Sequence, residues 1–148
     1  MLPSLRRIAV MALIVCVLLA GAALVLLGHG DRSADQARWR EAAAAAAPIV
    51  ALVESYRRER GALPRYAGDL AGRVPDGLVA EDIGALIRFD TGTPPAWLYS
   101  LDADGTGFEL SRKLGTDTKL VYSEEAGRGR WTYDPGDGND PVPVEIHP

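Results

Sequence analysis

Asp134, Asp137, Asn139 and Asp140 crowd one loop near the end of the chain. Side-chain oxygens at that density suit a hard cation such as Ca²⁺, and Asp134, Asp137 and Asp140 are the residues that would carry it. Pro135, Gly136, Gly138 and Pro141 in the same stretch build a good turn without any ion, and the spacing is not that of an EF-hand. The expectation is therefore no cofactor, with calcium at this loop as the alternative.

The inventory for catalysis is poor. His29 borders an apolar run and His147 is next to the last residue, so neither is placed as a general base. The lone cysteine, Cys16, lies inside the apolar run, and there is no phosphate-cradling glycine loop or metal-spaced Cys/His cluster. Glu124 and Glu125 are adjacent, and neighbours on a strand point to opposite faces. Asp102-Ala103-Asp104-Gly105 reads as a hairpin turn. No catalytic residue is assigned, and the chain is expected not to be an enzyme.

The chain has 148 residues and a formal charge of −4. All 20 acidic residues and all but Arg6 and Arg7 of the basic ones follow Gly30, which makes that part more acidic than the whole and argues against a nucleic-acid partner. With no cysteine after Cys16, the domain must hold itself together by its core.

From Ile8 to Leu27 the chain is apolar and uncharged, preceded by Arg6 and Arg7 and followed by Gly28 and Gly30. As a helix this run is about 30 Å long, the thickness of a bilayer's hydrocarbon core. It predicts one transmembrane helix at 8–27, with a cytoplasmic tail at 1–7 and the remainder outside. Cleavage as a signal peptide at Ala20-Gly21-Ala22 is the rival, and it would leave Ala23 to Leu27 as an apolar N-terminus. Ala12, Cys16 and Ala20 form a small-residue stripe through which two spans could associate.

Ser33 to about Arg60 reads as a helix. Ser33 is an N-cap candidate, Glu41 to Ala47 is strong helix former, and Ile49, Leu52, Val53 and Tyr56 form a packing stripe. Ala42 to Ala47 reads as plain helix with a smooth surface suited to close packing against another helix. Pro48 is expected to kink the helix or mark a second start. Arg57, Arg58 and Arg60 complement the helix dipole and are expected to be solvated, with Gly61 as C′ residue. Ala67 to Ala71 could add a helical turn.

From Ala85 on the period changes. Leu86 to Phe89, Trp97 to Leu101, Phe108 to Leu114, Leu120 to Ser123 and Trp131 to Tyr133 are short runs punctuated by Gly, Pro and Asp, as strands of an antiparallel meander are. Arg112 interrupts its strand's inward row; a sheet edge or a carboxylate partner would each account for it.

The stretch Ala51-Leu52-Val53-Glu54-Ser55-Tyr56-Arg57-Arg58-Glu59-Arg60-Gly61-Ala62-Leu63-Pro64, then Asp69-Leu70, resembles type IV pilin-like proteins and the pseudopilins of type II secretion. Trp97-Leu98-Tyr99, the Asp104 to Leu110 segment and Trp131 are similar to that family's sheet, so the resemblance runs from roughly Arg38 to Tyr133. Ile8 to Leu27 departs from the family, having no acid, no aromatic and no prepilin-peptidase junction.

Together these readings predict an α+β fold, in which a single N-terminal transmembrane helix is followed by a pilin-like domain with one long helix packed on a small antiparallel sheet. That domain is expected over 31–134 and a flexible tail over 135–148. The function implied is a non-enzymatic, membrane-anchored cell-envelope protein with a binding or structural domain, the alternative being a minor pseudopilin of a secretion or pilus-like filament. The expected place is the bacterial inner membrane, single-pass, with the C-terminal domain periplasmic. Expected partners are membrane lipid through 8–27 and an envelope protein, with self-association as a further possibility.

Overall fold

The computed structural model describes residues 35–146. The chain divides into Met1–Arg38 and Trp39–Pro148, and the second unit holds the fold. The described elements are a helix, α1, at residues 35–60, a 3₁₀ turn Ala67–Leu70, and seven strands. The strands are β1 Val79–Ile83, β2 Leu86–Asp90, β3 Trp97–Leu101, β4 Phe108–Lys113, β5 Lys119–Glu125, β6 Arg128–Asp134 and β7 Val142–Val144. All pair antiparallel with their neighbours in sequence, so the sheet is an unbroken meander from β1 to β7.

The expected architecture is corrected on two counts. The sheet is not small: it has seven strands and makes up most of the fold, unlike the domain that the pilin-like resemblance implied. Among the described residues no helix is long and apolar enough to cross a membrane. The run from Ile8 to Leu27 and the tail before it lie outside the described residues, and the transmembrane, signal-anchor and inner-membrane expectations built on them are withdrawn. Residues 135–148, expected as a flexible tail, supply β7, whose Val142 and Val144 stand opposite Tyr133 and Trp131.

Alternation along the strands explains the core. In β2, β3 and β4 every second residue is buried, which brings Ile87, Phe89, Trp97, Tyr99, Phe108 and Leu110 to one face. Against that face α1 packs Ala42, Ala46, Ile49 and Val53, spaced by one and two helical turns. Burying a side chain of leucine, isoleucine or phenylalanine size contributes about 1.5–3 kcal/mol, so this helix-on-sheet contact dominates the stability of the unit. The helix continues through Pro48, which is exposed on the side away from the sheet. It ends where Gly61, at φ 71°, donates its N–H to the Arg57 carbonyl, as a C′ glycine does.

The aromatic side chains form a second level of order. Phe89 to Tyr99, Tyr99 to Phe108, Phe108 to Tyr122 and Tyr122 to Trp131 are 6.3, 5.4, 5.8 and 5.1 Å apart between ring centroids, and Trp131 meets Trp97 at 5.9 Å. Each contact is tilted or edge-on, the arrangement that ring quadrupoles favour. The layer crosses the sheet from β2 to β6 and ends at the outer side of α1.

Candidate functional site: an apolar groove beside the helix

Two helical faces of α1 are apolar, and the sheet takes only one of them. The second carries Ala44, Ala47 and Ala51, all exposed, beside Ala43 and Val50. Facing it are Tyr122 from β5, Trp131 from β6 and Ile146 beyond β7, with Arg40 also on the lining. Between them lies an open groove of ≈ 750 Å³. Its helical wall runs from Arg40 to Ala51, about 16 Å at helical rise, or three turns.

Its aromatic wall is held rigidly. The Tyr122 ring lies over Gly129, directly opposite Glu124 in the β5–β6 ladder, so closely that a Cβ at Gly129 would collide with the ring. Trp131 is braced between Tyr122 and Trp97. Burial, then the nearby Glu54 and Glu124 carboxylates, raise the Tyr122 phenol above its ordinary range. The phenol is neutral at physiological pH and presents an uncharged edge to the groove.

Behind Tyr122 a charged link ties helix to sheet. Arg57 donates through Nη1 to Glu124 at 2.8 Å and through Nη2 to both Glu54 oxygens at 3.0 and 2.9 Å. The Glu124 side chain is only 2% exposed, and its other oxygen accepts the Gly127 N–H of the β5–β6 turn. Burial works against the Arg57 charge, but the hydrogen bond to Glu124 and the two carboxylates outweigh it and raise its pKa. Arg57 was expected to be solvated at a helix end; instead it is the clamp between α1 and the β5–β6 hairpin. Glu125 points the other way and is exposed, as strand alternation requires.

The oxygen-rich loop has a different geometry from a cation cage. Asp134 accepts the Gly136 N–H at 2.9 Å and faces Lys119 Nζ at 3.5 Å. Asp137 accepts the Asn139 N–H at 3.1 Å and its side-chain amide at 2.7 Å, and these bonds lower its pKa. Both are turn-forming contacts. Among the described residues no group of three or more His, Cys, Asp or Glu is placed to hold a metal ion. In the Asp102 to Gly105 turn, Asp104 accepts both the hydroxyl and the N–H of Thr106, which lower its pKa in that order.

Arg112 lies neither at an edge nor against a carboxylate. It is on the interior strand β4, buried over the Trp97 ring at 5.7 Å, with Nη2 donating to the carbonyls of Thr93 and Pro94 at 3.2 Å each. Sequence reasoning did not find the groove as a whole. The alanine spacing was visible, but its opposing wall depends on β7 reaching back to β6. Compared with models of protein families, with curated proteins and with solved structures, the chain matches none.

Proposed function

We propose that the domain is a non-enzymatic binding module that captures an apolar helical segment of a partner protein in the groove between α1 and Trp131. The observation that carries this reading is the three-turn stripe of exposed small residues, Ala44, Ala47 and Ala51, facing a braced tryptophan and tyrosine. Small residues let a second helix approach closely, and alignment with α1 is the natural way to fill a groove of this length. Trp131, Tyr122 and Arg40 are the residue types that dominate binding energy at protein interfaces. The groove is open rather than enclosed along its length, which suits a segment of chain better than a small molecule sealed from water. The described residues contain neither histidine nor cysteine, and their most buried carboxylate, Glu124, is neutralised by Arg57. That chemistry supports recognition rather than turnover.

The test is titration with a stapled apolar helix of about three turns, followed by tryptophan fluorescence. Trp97 is fully buried and Trp39 stacks on Tyr133 at 4.8 Å, so the change should come from Trp131. A saturable change that disappears in Ala47→Glu is expected. Because Ala47 is exposed, that variant keeps the core intact. Equal binding by Ala47→Glu, or no saturable change, would remove the reading.

A further inference from the structure

The groove beside α1 opens onto a face of the helix with an order of its own. Arg40, Ala44, Ala47, Ala51 and Glu54 follow one another at intervals of four, three, four and three residues. That alternation averages 3.5 residues, the period of a seam along which one helix packs on another. The core residues Ala42, Ala46, Ile49 and Val53 fall on the far side of the helix, so the seam is clear of the sheet that α1 covers.

The two ends of the seam carry opposite charge. Arg40 is exposed, and among the described residues no carboxylate lies within ion-pair distance of it. At the other end Glu54 and Glu124 share the one guanidinium of Arg57, which leaves that group with one negative charge uncompensated. The Glu54 side chain is 30% exposed and within reach of a further cation. Arg40 and Glu54 stand seven residues to either side of Ala47, two helical turns or about 10 Å. Two copies of α1 crossing antiparallel at Ala47 therefore set Arg40 of each opposite Glu54 of the other. Parallel copies in register would set arginine against arginine and glutamate against glutamate. The antiparallel pair also opposes the two helix dipoles. Alanine lets the axes approach to about 8 Å, the short end of helix spacings, which an arginine side chain spans.

We infer that the helix filling the groove is α1 of a second copy of this chain, antiparallel about Ala47, with Arg40 of each copy paired to Glu54 of the other. The inference rests on the reading of the groove as a helix-binding site and names its occupant. The charge pattern singles out a copy, because a helix that is apolar throughout uses the alanines and leaves both charged ends unanswered. The layers of the pair then run sheet, helix, helix, sheet. A contact of about three turns is small for an interface, so the association is expected to be weak and reversible.

Disulfide trapping in the full chain tests the pair, with Cys16→Ser removing the native thiol. Three single-cysteine chains carry Ala44→Cys, Ala47→Cys or Ala51→Cys, all at exposed positions that leave the core intact. A disulfide needs Cα atoms within about 7 Å. Position 47 lies on the two-fold axis and should link to itself, whereas positions 44 and 51 lie about 9 and 12 Å along the helix from their copies and should not. A mixture of the Ala44→Cys and Ala51→Cys chains should give the linked heterodimer. Arg40→Glu should lower the Ala47→Cys yield at least about fivefold, and adding Glu54→Arg should restore it. Equal self-linking at all three positions, the mark of a parallel pair, would overturn the inference. So would no link from Ala47→Cys, or a yield that Arg40→Glu leaves unchanged. Saturable binding of the stapled helix without a link at position 47 removes the second copy and keeps the groove as a helix site; failure of both experiments removes that reading as well.

Discussion

At the scale of single residues, Arg57 is the side chain on which most depends. It joins α1 to a glutamate whose side chain is almost wholly buried. Arg57→Ala would strand that carboxylate with the Gly127 N–H alone. Removing one partner of a buried pair costs about 3–5 kcal/mol, and the low end applies because the Arg57 side chain is 27% exposed. Urea unfolding should show a loss of about 3 kcal/mol in Arg57→Ala, and a clearly smaller loss in the double variant Arg57→Ala, Glu124→Gln, because no buried charge is then left unpaired. Buried Tyr99 and half-buried Tyr122 make a prediction about alkaline pH. Burial first, then nearby carboxylates, raise the phenols of Tyr99 and Tyr122 above their ordinary value. Above about pH 10 the unfolded chain releases these protons while the folded one keeps them, so stability present below that pH declines as pH rises towards the folded values. Absorbance of tyrosinate should therefore show Tyr99 and Tyr122 ionising above the ordinary tyrosine range, together with falling thermal stability. Ionisation of Tyr99 and Tyr122 in the ordinary tyrosine range would contradict the burial. Glu59, Asp104 and Asp137 have the reverse sign, since their hydrogen-bonded carboxylates have lowered pKa values. Their contributions are present above the unfolded range of about pH 4 and are lost as pH falls through the folded values.

At the scale of elements, the β5–β6 hairpin turns on Ala126 and Gly127, both at positive φ, 52° and 79°. A two-residue turn of that form favours asparagine at its first position, and alanine there is strained. Ala126→Asn should raise stability by about 0.5–1 kcal/mol, visible as a higher urea midpoint with an unchanged slope. Destabilisation would mean that the turn has another geometry. The strand runs were legible in sequence because β2, β3 and β4 alternate cleanly between buried and open faces. β1 and β7 were not legible, and the reason is physical. Both are edge strands, exposed along most of their length, so nothing forces an alternating pattern on them. β7 also contains Pro143, which reads as a loop until its position at the sheet edge is known. Pro48 misled in the other direction. Its ring lies on the exposed side of α1, and the helix tolerates one missing hydrogen bond there because the sheet holds Ile49 and Val53 on the far side. Arg57 could not have been assigned from α1 alone, since its partner is 67 residues away and the local pattern is equally that of a solvated helix end.

At the scale of the whole molecule, the unit from Trp39 onward is a single helix laid across a seven-stranded meander, with a groove along one side of that helix. The groove beside α1 is apolar and follows from the edge: β7 and Ile146 extend the sheet past the width that one helix covers, leaving a strip of exposed alanine opposite Trp131. The central claim is that a partner's helix fills this strip. A photo-crosslinking residue in place of Ala47, in the cells that make the protein, tests it most directly, with Arg130 on the opposite sheet face as the control position. The account predicts a discrete protein adduct from position 47 that position 130 does not give, and its loss when Val50→Glu places a charge in the groove. Equal labelling from both positions, or none from position 47, would contradict it.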